Sequence, residues 1–234
     1  MNLLTIDSPL NYGTLYLVST PIGNLKDITL RALDILSSVD LIAAEDTRHA
    51  SILLNHYEID TKTTSFFDFN KEKKTPFLIE QIKRGLSIAI ISDAGTPGIS
   101  DPAFYLVRAA IDEGVKIEAI PGATALIPSL IISGLPTDRF VFEGFLPHKK
   151  GRQKRLKQLM AEPRTIIIYE SPNRITRTMA DIYQTLGDRR ICIVRELTKK
   201  FETIYRGTLG QIMNEIDSVK QRGEFVIVVE GQTS

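Results

Sequence analysis

Three features of this 234-residue sequence predict an α/β fold with a mostly parallel N-terminal sheet and a mixed C-terminal sheet. Short apolar runs alternate with helix-period segments through the first half. Two of those runs end in loops rich in proline, glycine and small polar residues. A Pro121-Gly122 break then separates an acidic half from a basic one.

The elements follow in order. Residues 1–12 are expected to form an extension without regular structure. Residues 15–18 are a buried strand, 28–35 a helix, 41–44 a strand, 51–57 a helix and 63–67 a shorter extended stretch. The next helix is predicted to begin at Thr75-Pro76, a capping residue before proline at the first helical position. Residues 88–91 form the fourth strand. Asp101-Pro102 opens a helix by the same device, and residues 116–120 close a first domain over 13–121. A second domain, 122–234, begins with a small-residue helix over 123–133 that ends at Gly134-Leu135-Pro136. Strands are expected at 140–145, 165–169, 191–194, 203–206 and 225–229, and helices at 152–160, 174–186 and 209–219. Short connections near the end favour mixed pairing.

Composition narrows the function classes. Hydrophobic content of 43% and charged content of 24% are ordinary for a globular protein. No apolar run is long enough to span a bilayer. The opening Met1-Asn2-Leu3-Leu4-Thr5-Ile6-Asp7 has neither a basic region nor a sustained apolar core, so no signal peptide is expected. The single Cys192 lies within an apolar run and reads as a buried strand residue, so a cytoplasmic setting is expected. Residues 1–121 carry 11 Lys and Arg against 16 Asp and Glu, net −5, whereas 122–234 carry 18 against 12, net +6. That asymmetry assigns polyanion contact to the second half.

The loop Ser19-Thr20-Pro21-Ile22-Gly23-Asn24 follows the first strand. By itself it could be a plain strand-to-helix turn. The dinucleotide fingerprint and the Walker A motif are both absent. The loop over 92–102 is harder to dismiss, because Asp93, Gly95, Thr96, Pro97, Gly98, Ser100 and Asp101 exceed what a turn needs. Small side chains there let a ligand approach the backbone. Nearby carboxylates repel a phosphate-rich ligand and tolerate a cationic one, such as a sulfonium. Asp101 itself reads as a helix N-cap. Ala44-Glu45-Asp46-Thr47-Arg48 ends the second strand. Its charged groups could supply a base and a substrate clamp, or a capped helix start with Arg48 in solvent.

The run from Gly144 to Ala161 holds no acid, and its cations are Lys149, Lys150, Arg152, Lys154, Arg155 and Lys157. That pattern favours a polyanion footprint over a solvated helix. Arg189, Arg190, Arg195, Lys199, Lys200 and Arg206 would extend it. His49, His56 and His148 show no metal-ligand spacing, so no metal is expected. No nucleophile elbow is present. Phe66, Phe67 and Phe69 read as core, with base stacking as the alternative.

Leu15-Tyr16-Leu17-Val18-Ser19-Thr20-Pro21-Ile22-Gly23-Asn24-Leu25 begins an ordered series of motifs. Glu45-Asp46-Thr47-Arg48, the loop 92–102, Ser133-Gly134-Leu135-Pro136, Gly144-Phe145-Leu146-Pro147, Tyr169-Glu170-Ser171-Pro172 and Arg195-Glu196-Leu197-Thr198-Lys199 continue it. The series resembles the small-subunit ribosomal RNA methyltransferase I family, within the tetrapyrrole methylase superfamily, over roughly residues 13 to 231. The resemblance implies a two-domain class III methyltransferase fold with S-adenosylmethionine in the cleft between the domains, and a homodimer. It implies methylation of a cytidine ribose 2′-oxygen in the decoding region of 16S rRNA. Carried over by motif position, Pro21, Ala94, Gly95, Thr96, Ile99, Thr124, Ala125, Glu170 and Leu197 line the cofactor. Ala103 stands where the family usually has glycine, and Asn173 where histidine is usual, so no histidine acid-base role is assigned there.

A neutral ribose hydroxyl is a poor nucleophile, so a carboxylate base or a cation beside the forming alkoxide would assist. Glu45 or Asp46 is the expected base, Arg48 the orienter and Lys199 a supporting cation. A reaction with no base beyond water stays open. So do two other readings: a corrin or porphyrin methylase, and a non-catalytic RNA-binding assembly factor.

Overall fold

The computed structural model describes residues 12–215 and 222–232. All but the last residue of the expected N-terminal extension, and residues 216–219 of the helix expected over 209–219, lie outside them. The chain divides into two compact units after Thr124, three residues beyond the expected break.

The first unit is a five-stranded, wholly parallel sheet. Its strands are β1 (Thr14–Val18), β2 (Leu41–Ala44), β3 (Thr63–Ser65), β4 (Ile88–Ile91) and β5 (Lys116–Ile120), in the order β3-β2-β4-β1-β5. The central strand β4 is buried at every position, as its unbroken Ile-Ala-Ile-Ile run requires of a strand covered on both faces. Ala89 and Ile91 pack on one face with helices α1 (Leu30–Ser38) and α2 (Thr47–His56). Ile88 and Ile90 pack on the other with α3 (Lys71–Lys83) and α4 (Ala103–Asp112).

The second unit holds a mixed sheet of β6 (Phe140–Phe145), β7 (Thr165–Glu170), β8 (Arg190–Arg195), β9 (Thr203–Thr208) and β10 (Phe225–Val229), ordered β6-β7-β10-β8-β9. Only β6 and β7 pair in parallel. Again the wholly buried strand, β10, is the central one. Helices α6 (Arg152–Leu159), α7 (Ile175–Leu186) and α8 (Leu209–Asn214) cover one face, where Ile166, Ile193 and Ile227 meet. Helix α5 (Leu126–Ser133) packs Leu130 on the other, beside Cys192. Cys192 is fully buried, as expected, and burial pushes its thiol up to about 11.

Several boundaries differ from expectation for local reasons. α2 begins at Thr47 rather than 51, because Asp46 caps it: its Oδ1 accepts the Arg48 amide at 2.8 Å. α3 begins five residues before Pro76, which therefore lies inside the helix. The lost N–H falls opposite Glu72, an exposed residue in the helix's first turn. α5 starts at Leu126, not 123, and stops at Gly134 in the left-handed conformation, φ +76. β3 is only three residues long and ends at Ser65, before the three phenylalanines expected in the core. Phe66 is buried, but Phe67 is 36% and Phe69 97% exposed.

Candidate functional site

β1 lies between β4 and β5 in the sheet. The chain leaving β1 crosses towards β2 on one side, and the chain leaving β4 crosses towards β5 on the other. Such a switch in direction opens a crevice at the carboxyl ends of the two strands, where α/β sheets hold ligands.

The two proline-glycine loops meet at that crevice. The Thr20 amide donates to the Gly95 carbonyl at 2.9 Å, and the Gly95 amide returns a bond to the Thr20 carbonyl at 3.0 Å. Ser19 Oγ and Thr96 Oγ1 lie 3.0 Å apart, and Thr96 Oγ1 donates to the Ala123 carbonyl in the loop after β5. Gly122 is fixed by closeness, because a Cβ there would stand 2.9 Å from Ser19 Cβ. Gly95 has φ +85, and its missing Cβ would stand 3.2 Å from Ile22 Cγ2. Three loops thus close on one another through main-chain and hydroxyl bonds. Beside them is a hollow of about 250 Å³ walled by Thr20, Pro21, Gly23, His49, Ser92 and Asp93, among others.

Of the residues expected to line a cofactor, Pro21 forms part of that wall, and Ala94 is exposed in the second loop. Gly95 is buried, Thr96 and Thr124 are half-buried and Ile99 is exposed. The Asp101 carboxylate accepts the Gly98 and Ala103 amides, so it shapes the loop where α4 begins, although Pro102 and not Asp101 is the residue at the helix's N-cap.

The loop after β2 is tied to the same edge. Glu45 Oε2 accepts the Asp93 amide at 3.2 Å, and Asp93 Oδ1 accepts the Asp46 amide at 3.0 Å. The two carboxylates of the expected pair are then driven apart chemically. Burial raises the Glu45 carboxyl above its ordinary range. The Asp93 amide opposes that rise, while the charges of Asp93, Asp101 and Asp68 add to it. The Arg48 guanidinium binds Asp46 through two bonds and holds its carboxyl far below that range.

In the second unit, β7 and β8 end together: Phe225 of β10 stands opposite both Glu170 and Arg195. Glu170 is only 2% exposed, and its oxygens are taken by the Ser171 amide, Thr178 Oγ1 and Arg174. Its carboxylate is committed to these partners within the second unit. After β8 the chain turns sharply through left-handed Glu196 and Thr198, φ +54 and +67. Leu197 packs into the core beside Val194, and Ala125 packs against the same cluster at the start of α5. Lys199 Nζ bridges Glu196 at 2.9 Å and Glu224 at 3.1 Å. Partial burial works to lower that ammonium, but the two carboxylates outweigh it and hold it protonated beyond the ordinary lysine range.

The acid-free basic run divides. Lys149, Lys150, Lys154 and Lys157 are exposed. Arg155 forks onto Glu143. Arg152 is 2% exposed, and its guanidinium is committed to Asp181 and Thr178. Arg189, Arg195 and Arg206 likewise spend donors on main-chain carbonyls.

Residues 14–213 match the family model described as Tetrapyrrole (Corrin/Porphyrin) Methylases. The chain is 47% identical over 223 residues to the ribosomal RNA small subunit methyltransferase I of Escherichia coli O157:H7, covering 94% of this chain and 78% of that one. It is 43% identical over 220 residues to the protein of that name from Thermotoga maritima, covering 94% and 99%. The chain belongs to the ribosomal RNA small subunit methyltransferase I family of tetrapyrrole methylases. Solved structures share the fold. A diphthine synthase matches with a TM-score of 0.72 at 14% identity, covering 93% of this chain and 90% of that one. The uroporphyrin-III C-methyltransferase of Thermus thermophilus complexed with S-adenyl homocysteine matches with a TM-score of 0.65 at 19% identity, covering 93% and 97%.

In this tetrapyrrole methylase, sequence reasoning missed Ser19, Gly122 and the Glu45–Asp93 link. Gly122 had a legible signal, a glycine directly after a strand and proline. The Glu45–Asp93 link had none, since 48 residues separate the partners. Among the described residues, no helix is long and apolar enough to cross a membrane.

Proposed function

We propose that this methyltransferase methylates the ribose 2′-oxygen of a cytidine in the decoding region of 16S rRNA, acting in the cytoplasm as a homodimer. The carrying observation is the junction of the loops after β1, β2 and β4, with Glu45 held against Asp93. The relatives' names support rRNA as the substrate class.

S-adenosylmethionine supplies a methyl group already activated on a sulfonium. The small side chains of Ala94, Gly95 and Thr96, with Pro21, fit such a ligand, and the carboxylates nearby suit its positive charge. Thr124 and Ile99 complete the set in the first unit. Ala125 and Leu197 of the second unit are assigned to it by family resemblance.

Because the donor is activated, the protein chiefly has to orient the hydroxyl and take its proton. Glu45 is the better base of the pair, since its raised affinity for a proton suits acceptance. Asp46, clamped by Arg48, is the weaker one and serves to orient. Lys199 is assigned a supporting electrostatic role. Glu45→Gln is expected to lower kcat by about 10²-fold or more, the usual worth of a positioned base. Glu45 must be ionised to act, so wild-type kcat should fall as pH drops through a value above the ordinary 4.5. That acidic limb should be missing from the residual activity of Glu45→Gln. An unchanged limb in the variant removes Glu45 from the role.

The exposed Lys149, Lys150, Lys154 and Lys157 are assigned to the RNA backbone. Each Lys→Ala change at 154 or 157 should weaken rRNA binding and reduce the salt slope of log Kd by about 1. An unchanged slope would place the RNA elsewhere. The overall reading is tested with methyl-labelled S-adenosylmethionine and small subunits from cells lacking this modification. Label in an alkali-resistant cytidine dinucleotide of 16S rRNA supports it. Label accepted only by a corrin or porphyrin, or by nothing, refutes it.

A further inference from the structure

We infer that Phe69, backed by Phe67, is a stacking platform for an unpaired RNA base beside the reacting ribose; this rests on the rRNA reading above. Phe66 donates its amide to the Ala44 carbonyl at 2.8 Å, so the chain leaves β3 directly beside Glu45, the residue after Ala44. Asp68, between Phe67 and Phe69 in the sequence, is close enough for its charge to act on Glu45. Phe69 is 97% exposed, and its ring lies 6.4 Å from that of Phe67 in an edge-on arrangement. The loop that presents them is braced, not slack. Asn70 Oδ1 accepts the Phe67 amide, Asn70 Nδ2 donates to the Ser65 carbonyl, and Lys71 pairs with Asp68.

Two effects compete for how a polynucleotide would be held at this edge. Glu45, Asp68, Asp93 and Asp101 make it acidic, which opposes phosphate contact. Stacking on an aromatic face is indifferent to that charge and tolerant of sequence. Cations enter one turn further on, where Lys73 is exposed and Lys74 lies 5.0 Å over the Phe77 ring. The geometry therefore fits a base on the rings and its flanking phosphates along α3. A second copy of this chain fits worse. A stable interface buries about 800 Å² on each partner, whereas an aromatic side chain offers about 150–250 Å². The charged residues Asp68, Lys71 and Glu72 also lie beside the two phenylalanines in the sequence.

The chain contains seven tyrosines but no tryptophan, so Phe69→Trp creates a single indole that can be excited apart from the tyrosines at the red edge of absorption. Its emission should be quenched on titration with an unstructured oligocytidylate and unmoved by tripolyphosphate, which offers charge without bases. Phe69→Leu, at a fully exposed position, should bind the oligonucleotide about tenfold or more weakly. It should raise KM for small subunits while leaving S-adenosylmethionine affinity unchanged, and Phe69→Tyr should restore both. Equal oligonucleotide binding by wild type and Phe69→Leu, or an emission that responds only to tripolyphosphate, overturns the inference. So does a Phe69→Leu protein whose sole change is a lower sedimentation coefficient, which would mark self-association. The binding assays involve no methyl transfer. Stacking can therefore stand in a protein that fails to methylate rRNA, and fail in one that succeeds.

Discussion

Replacing Arg152 by alanine is expected to destabilise the second unit by about 3–5 kcal/mol, the cost of breaking a buried ion pair from one side. The side chain is 3% exposed and spans two side-chain acceptors, Asp181 Oδ2 at 2.6 Å and Thr178 Oγ1 at 2.7 Å, besides donating to the Pro147 carbonyl at 3.3 Å. Thr178 in turn donates to Glu170 Oε2, and Glu170 Oε1 faces Arg174 at 3.2 Å. Two cations and two carboxylates are thus satisfied as one network, through a hydroxyl that relays between them. Without Arg152, Asp181 keeps only the more distant Arg177, at 3.8 Å. Arg152→Lys should recover little, because an ammonium cannot span both acceptors as a guanidinium does. Lys154→Ala, on the exposed side of the same helix, should change stability by less than about 0.5 kcal/mol. Urea unfolding monitored by circular dichroism checks this. Arg152→Ala and Lys154→Ala unfolding at the same midpoint would mean that the network contributes nothing.

The contrast between those residues shows where the sequence was informative. The apolar runs of β4 and β10 are buried on both faces, and such runs are legible because no other element of that length hides every side chain. The paired-loop crevice was legible for a related reason: an excess of glycine, proline and small polar residues after a buried strand has few purposes. The roles of individual charges were not legible. Arg152 and Lys154 sit two residues apart in an acid-free helix, and only the helical turn decides which faces Asp181, a residue on another helix. Glu170 looked like a site carboxylate by motif position, yet its partners Thr178 and Arg174 come from the following helix and its start. The phenylalanines failed for a third reason. Residue type alone placed all three in the core, yet Phe67 and Phe69 follow the end of a three-residue edge strand, and Phe69 turns to solvent.

Gly95→Ala is expected to weaken S-adenosylmethionine binding by about tenfold or more, and a comparison with Gly98→Ala isolates the cause. Both glycines occupy left-handed backbone, φ +85 and +92. A Cβ at either position costs about 1–2 kcal/mol from conformation alone. They differ in their surroundings. At Gly98 nothing lies within 4 Å of the added atom, whereas at Gly95 it meets Ile22 Cγ2 at 3.2 Å. Ile22 is buried in the first loop, so a few tenths of an ångström of displacement there is expected to press on that loop. That movement strains the reciprocal Thr20–Gly95 bonds at 2.9 and 3.0 Å, and with them the wall of the hollow. Overpacking of this kind adds about 1–3 kcal/mol. Both variants should therefore melt a few degrees below wild type, at roughly 2–4 °C for each kcal/mol in a chain of this size. Only Gly95→Ala should also lose cofactor affinity, measured by calorimetry on folded protein below the transition. Equal affinity losses in the two variants would assign the effect to backbone strain throughout the loop. Undiminished binding in Gly95→Ala would detach the junction of the two loops from the cofactor altogether.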